Sequence, residues 1–127
     1  MNEKTSYWLD LADYDLETAE AMLKTGRYLY VGFMCHQVVE KVLKAVIASL
    51  GHEPPYIHNL SRLAEKASLY QRMSSDQRDF VDSLEPLNIQ GRYPGDTDKL
   101  SSFLTATRCR RMIDDTKDLH QWIRATL

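Results

Sequence analysis

The chain has 127 residues, of which 43% are hydrophobic and 27% are charged, and its formal net charge is −2. This length supports one domain with its own core, so we expect residues 1–127 to form a single domain. The composition excludes a disordered chain, and the slightly acidic charge argues against a broadly basic surface that binds nucleic acid non-specifically.

Three features predict a cytoplasmic protein. Residues 31–50 are long enough to span a membrane, but the charged side chains in the middle of this stretch exclude insertion. The N-terminal sequence MNEKTSYWLDLADYD is too acidic for a signal or transit peptide. The two cysteines, Cys35 and Cys109, lie in helical patterns and are typical of small buried residues in a reducing compartment.

The first periodic segment predicts a helix over about residues 4–24. Apolar residues recur at helical spacing from Trp8 to Leu23, and Gly26 stands where a C-terminal cap is expected. The opposite face carries four acidic residues, which are Asp10, Asp13, Glu17 and Glu20. Such a stripe is either solvated or a surface for the arginines of a partner.

The second helix is predicted from just after Tyr28 to Gly51, and the other segments are expected to pack around it. Apolar residues occupy most of its circumference, which indicates a helix covered on most sides. One polar arc remains, and it is either solvated or a functional site. The arc comprises His36, Gln37, Glu40, Lys41 and Lys44.

Shorter elements follow the second helix. A third helix is predicted over residues 60–70, with His58 or Asn59 as its N-cap. A fourth helix follows Ser74, which forms a capping-box pattern with Gln77.

The C-terminal part is predicted to hold one long loop and one long helix. Residues 86–98 contain two prolines and two glycines, which predicts irregular structure. The last helix is expected to start between residues 98 and 101 and to end near residue 125. Its predicted inward face is Phe103, Ala106, Cys109, Ile113, Thr116, Leu119 and Ile123. No strand pattern occurs, so the predicted fold is all-α, an up-and-down bundle of three long and two short helices.

Several cationic and hydrogen-bonding side chains predict a phosphate site. The donors are His36, Lys41, Lys44 and Arg92. Arginine offers a planar fork and lysine a point charge, and both suit phosphate groups, while Tyr93 can stack on a base. The alternative is that Glu40 neutralises one of these cations in a structural ion pair, and the residue types leave both interpretations open.

Other site chemistry finds little support in the residue spacing. His36 and Glu40 lie four residues apart and can supply two metal ligands, but the sequence offers no third. No glycine-rich phosphate loop and no G-x-S-x-G motif is present. Cys35 and His36 are adjacent on a helix and therefore do not face each other as a nucleophile and base must.

An ordered set of motifs resembles the HEPN (higher eukaryotes and prokaryotes nucleotide-binding) domain family. The opening helix contains Trp8 and the run ADYDL at residues 12–16, and residues 36–45, HQVVEKVLKA, are similar to the family's Q-x-x-E-K-x-L-K-A core. His58-Asn59-Leu60 and Arg92-Tyr93-Pro94-Gly95-Asp96 follow in order. The resemblance spans roughly residues 5 to 125.

This resemblance implies a helical bundle that dimerises through its long helices, and the apolar excess of residues 31–50 is consistent with such an added interface. It also implies a protein partner, a minimal nucleotidyltransferase, in a toxin–antitoxin-like pair. No cofactor or metal is implied beyond a nucleotide ligand. The residues expected to hold that nucleotide are His36, Gln37, Glu40, Lys41, Lys44, His58, Arg92 and Tyr93.

One departure from the family bears on activity. Many HEPN proteins are metal-independent ribonucleases that use an arginine followed, after four to six residues, by a histidine, and no arginine here has a histidine at that spacing. RNA is therefore a disfavoured partner, and a ribonuclease would need a non-standard pair such as Arg92 and His58. The remaining alternative is a structural interaction protein in which Glu40 and Arg92 form an internal ion pair.

Overall fold

A computed structural model describes residues 1–89 and 93–127, and the regular structure within these ranges is helical throughout. The all-α prediction is therefore confirmed. The described helices are α1 (Glu3–Lys24), α2 (Tyr28–Ser49), α3 (Leu60–Lys66), α4 (Ser75–Leu84), α5 (Pro94–Phe103) and α6 (Ala106–Arg124), with short 3-10 turns at Tyr70–Arg72 and Glu85–Leu87. None of these helices has the length and apolar character that crossing a membrane requires.

Helices α1 and α2 form a hairpin whose ends follow local sequence signals. The Asn2 side chain accepts a hydrogen bond from the Thr5 backbone N–H and caps α1. Gly26, with φ of +72°, provides the left-handed turn between the two helices, and Gly51, with φ of +83°, follows the end of α2. The predicted bounds of both helices are thus confirmed to within a residue or two.

Helix α2 is the centre of the bundle, with α1 and α6 along it and the shorter helices around its remaining sides. Of its 22 residues, 14 are buried. The apolar excess that is consistent with a dimer interface is therefore covered within one chain. It requires no second chain to explain it.

Gly32 on α2 is a point of close approach. A Cβ built there would lie 3.3 Å from Leu87 Cδ1 and 3.4 Å from Leu104 Cδ1. Both leucines are buried. The glycine thus lets the segment before α5 and the segment after it dock on the same spot of the central helix.

The C-terminal prediction is wrong in its details. Helix α5 starts at Pro94, inside the range predicted to be irregular, because proline is well suited to the first position of a helix. A break at Leu104 and Thr105 then separates α5 from α6, and the Thr105 side chain caps α6 by accepting from the Arg108 N–H. Phe103, predicted to face inward, is exposed beneath the Arg108 guanidinium.

The remaining predictions for α3, α4 and α6 are mostly confirmed. The predicted inward face of the last helix is buried from Cys109 to Ile123, although Ala106 is exposed. Asn59 caps α3, and Ser74 with Gln77 forms the capping box of α4. Helix α3 is shorter than predicted.

Candidate functional site

A buried row of polar side chains runs along α2. His36, Glu40 and Lys44 lie four residues apart and therefore on one side of the helix. They are only 0%, 4% and 5% exposed. The middle of the polar arc, which the sequence predicts to be either solvated or functional, is therefore covered by the rest of the chain. Each charged group buried in it needs a partner of opposite charge or a hydrogen bond.

Glu40 is the centre of these interactions, and we name His36, Glu40, Lys44 and His58 the Glu40 cluster. The Lys44 Nζ donates to Glu40 Oε2 at 3.0 Å. The Nδ1 atom of His58 lies 3.1 Å from both oxygens of the same carboxylate. On its other side the Lys44 ammonium stands 5.4 Å from the centre of the Trp8 ring.

His36 is held as a neutral imidazole. Burial lowers its pKa to about 4, against a weaker opposing influence from Glu40. Its Nδ1 lies 3.8 Å from Glu40 Oε1 and 3.5 Å from the Gln37 side-chain nitrogen. Its buried Nε2 has no hydrogen-bond partner among the described residues and lies 3.9 Å from Glu85 Oε2.

Glu85 is a residue that the sequence reasoning missed. One of its oxygens accepts the Leu60 backbone N–H at the start of α3, and burial raises the pKa of this carboxyl. The only local signal for it is a carboxylate directly before Pro86 at the end of α4. Nothing in that position indicates contact with α2 and α3.

His58 is where the Glu40 cluster reaches solvent. It lies in the loop before α3, and its side chain is 54% exposed, in contrast to the three members on α2. Its Nδ1 is occupied by Glu40, so the ring presents Nε2 for other interactions. The arrangement is an exposed imidazole whose orientation is fixed by a buried carboxylate.

The other predicted site residues lie elsewhere. Lys41 forms an ion pair with Asp15 of α1. Tyr93 stands at the N-terminus of α5 and is 79% exposed. Arg92 lies outside the described residues, so its contact with phosphate, with Glu40 or with His58 stays a prediction.

Metal and thiol chemistry find no support in the residues that the structure describes. Among residues 1–89 and 93–127, no three His, Cys, Asp or Glu side chains are grouped to hold a metal ion. Cys35 and Cys109 are free and buried, as predicted. Burial raises the pKa of Cys35 to about 12, so its thiol is not a nucleophile.

A second polar region joins α1 to α6, and we name it the α1–α6 ladder. The Arg110 guanidinium donates to both oxygens of Glu20 at 2.9 and 2.8 Å, and the Lys117 Nζ lies 2.7 Å from the same carboxylate. These cations lower the pKa of Glu20 to about 2. The other pairs of the ladder join Asp13 to His120 at 2.9 Å and to Arg124 at 3.1 Å.

Two of the larger surface clefts are lined by α6 and lie away from the Glu40 cluster. One, of about 510 Å³, lies between α4 and α6 and includes Phe80 and Arg111. The other, of about 630 Å³, includes Leu23 and Thr107. Neither of these clefts is lined by a member of the Glu40 cluster.

The described helices, with the Glu40 cluster buried on α2, make this chain an all-helical bundle protein. Comparisons with known proteins identify its family. The HEPN domain family model matches residues 5–126. The chain belongs to the HEPN family, as the motifs predicted.

Solved structures have the same fold. TT1696 from Thermus thermophilus superposes with a TM-score of 0.84 at 20% sequence identity, covering 99% of this chain and 100% of that one. ST0689, described as an archaeal HEPN homologue, superposes with a TM-score of 0.68 at 20% identity, covering 99% and 98% of the two chains. Comparison with curated protein sequences gives no match.

Proposed function

We propose that residues 1–127 act as one cytoplasmic HEPN unit that binds a nucleotide and a protein partner and has no catalytic activity of its own. The observation that carries the nucleotide part is the exposed His58 ring, held by the buried Glu40 carboxylate. With Nδ1 committed to Glu40, the Nε2 of a protonated ring donates to a phosphate oxygen, and that of a neutral ring accepts from a ligand hydroxyl or amine.

The cluster members have different roles in this proposal. His58 contacts the nucleotide, and Glu40 positions it. Lys44 neutralises Glu40 and adds positive charge beneath the surface rather than touching the ligand, because it is almost fully buried. His36 and Gln37 hold the same side of α2 in place. Lys41 is assigned no ligand contact, because Asp15 already takes its charge.

Arg92 and Tyr93 are added to the proposed site on the basis of the sequence alone. In the sequence the two residues directly precede Pro94, and we assign the Arg92 guanidinium to phosphate and the Tyr93 ring to base stacking. This part of the proposal rests on residue type and on the family motif that the two residues share.

The nucleotide proposal is tested by thermal unfolding of the pure protein with each nucleoside mono- and triphosphate, with and without Mg²⁺. A ligand at a hundred times its dissociation constant adds ~2.7 kcal/mol to the folded state, which raises Tm by roughly 10 °C for a domain of this size. We expect His58→Ala to abolish the rise and His52→Ala, an exposed histidine six residues earlier in the same loop, to keep it.

Three outcomes decide the assignment. A rise that persists in His58→Ala removes the site, and no rise with any nucleotide removes the ligand class. Cleavage of RNA in the presence of EDTA, lost in His58→Ala, would replace the proposal with the ribonuclease alternative.

The partner proposal is a minimal nucleotidyltransferase in a toxin–antitoxin-like pair, together with self-association of this chain. It is supported by membership of the HEPN family and by the motifs that carry the resemblance. Light scattering is expected to give twice the chain mass of 14.7 kDa for the pure protein and a larger complex with a nucleotidyltransferase encoded beside it. A monomer that forms no complex would contradict this part alone.

A further inference from the structure

The outward side of α1 carries a continuous exposed stripe at alternating four- and three-residue spacing. Such spacing keeps side chains in one line along a helix, as at a helix–helix seam. All members are exposed, and they are Glu3, Tyr7, Asp10, Tyr14, Glu17, Ala21 and Lys24. We name this line the α1 stripe.

Two tyrosines stand between three carboxylates in this stripe. The Tyr7 and Tyr14 side chains are 59% and 68% exposed on the side of α1 that faces away from the core. The Tyr7 ring stands edge-on to Trp8, with the ring centres 5.5 Å apart. One ring of the stripe is therefore already fixed in place.

The carboxylates of the stripe differ from the other acids of α1. Asp13, Asp15 and Glu20 each pair with a cation of this chain. Glu3, Asp10 and Glu17 recur every seven residues and have no ion-pair partner in the part of the chain that the structure describes.

The chain itself shows what covers such a line of acids. On the adjacent side of α1, Asp13 and Glu20 are seven residues apart and meet Arg110, Lys117 and Arg124, which are also seven residues apart on α6. An arginine also stacks on an aromatic ring at 4.2 Å where Arg78 meets Tyr70. In this protein, acids at heptad spacing on α1 are therefore partnered by a cationic helix, and an arginine elsewhere in the chain stacks on a tyrosine.

We propose that the α1 stripe docks a helix of another protein that carries arginines at seven-residue spacing. Each guanidinium pairs with a carboxylate of the stripe and stacks on the neighbouring tyrosine. Two copies of this chain do not pair stripe to stripe, because the three carboxylates of each stripe would then face those of the other and like charges across an interface repel. The inference uses none of the nucleotide-site residues, so either proposal can fail alone.

The probe is a fluorescently labelled, alanine-based helical peptide with arginine at every seventh position. We expect its anisotropy to report binding that weakens with salt, and the combination Asp10→Lys with Glu17→Lys to weaken that binding at least about tenfold. The matched control is Glu65→Lys with Asp79→Lys, which makes the same charge change at exposed acids of α3 and α4 and is expected to leave binding within about twofold.

The tyrosines give a second, uncharged test. Tyr7→Ala with Tyr14→Ala is expected to weaken binding about fivefold without changing its salt dependence, because the stacking contribution is lost and the charges remain. Circular dichroism spectra of each variant are compared with that of the parent protein to check that the variant is folded.

Three results would overturn the proposal. One is the absence of binding at low salt, and another is equal weakening in the control pair, which would mean general charge attraction. The third is a homodimer that dissociates in the Asp10→Lys, Glu17→Lys variant, which would make the stripe a self-interface.

Discussion

The protein holds its charges in two contrasting ways. In the Glu40 cluster, one buried carboxylate serves Lys44 and His58 and lies near His36, and its three members on α2 are almost inaccessible to water. In the α1–α6 ladder, the carboxylate of Glu20 meets two cations at the surface, where water reaches all three groups.

This difference decides what each region contributes. A surface ion pair adds little free energy, because water replaces a lost partner, and its main effect is to align two helices. A buried charge that loses its partner cannot be solvated by water instead, so the protein is strongly destabilised. Replacing both members of a buried pair by apolar residues, however, often leaves the protein as stable as before. The cluster is thus poorly explained by stability alone, which supports its proposed role of positioning His58.

The largest effect is expected when one buried charge is stranded. Glu40→Leu leaves the Lys44 ammonium buried without its carboxylate, so unfolding in urea should show a loss of about 3–5 kcal/mol. Adding Lys44→Met removes the stranded charge and should restore most of that free energy. A single substitution that costs no more than the double would show that Lys44 does not depend on Glu40.

A smaller effect is expected from pH. The pKa of His36 is lowered by burial from 6.5 to about 4, so the unfolded chain takes up a proton in this interval while the folded chain does not. Above pH 6.5, His36 therefore leaves the free energy of unfolding unchanged. As the pH falls towards 4, protonation of His36 in the unfolded chain lowers this free energy by about 3 kcal/mol in total.

His36→Gln isolates this contribution. The variant is expected to lose less stability than the parent between about pH 7 and about pH 4.5, when both are unfolded in urea at each pH. Parallel declines in the two proteins would show that His36 is protonated in the folded state.

The smallest effect is expected in the ladder. Glu20→Gln should cost less than about 1 kcal/mol, and roughly 1 M NaCl should remove the difference. Because Arg110 and Lys117 lower the pKa of Glu20 from 4.5 to about 2, its contribution is present above pH 4.5 and is lost as the pH falls through 2. The control is Glu17→Gln, one turn away, which has no ion-pair partner among the described residues and should change nothing at either salt concentration.

Much of the fold follows from local sequence signals. The bounds of α1 and α4 depend on neighbouring residues such as Gly26 and the Ser74–Gln77 pair, so they are predictable from short windows. The split between α5 and α6 is different. The prolines and glycines around Pro94 favour irregular structure, yet Pro94 starts a helix, and the break at Leu104 follows burial of that side chain in the core.

The site is predictable only in part. The four-residue spacing of Glu40 and Lys44 places them on one side of α2, and the motif indicates His58. The partners Asp15 and Glu85 come from elements distant in sequence, and no spacing indicates them. The acidic residues of α1 are predictable only in part for the same reason. The sequence predicts either solvent or the arginines of a partner protein for them, but the arginines that pair with Asp13 and Glu20 belong to α6 of this chain.

Gly32 has a consequence for how relatives of this protein can diverge. Leu87 and Leu104 press on that one residue, so the chain departs from the central helix and returns to it at the same place. Insertions, deletions and substitutions between these two leucines therefore leave the rest of the bundle in register. A larger side chain at residue 32, by contrast, would displace the Leu87 side chain and disturb both contacts at once.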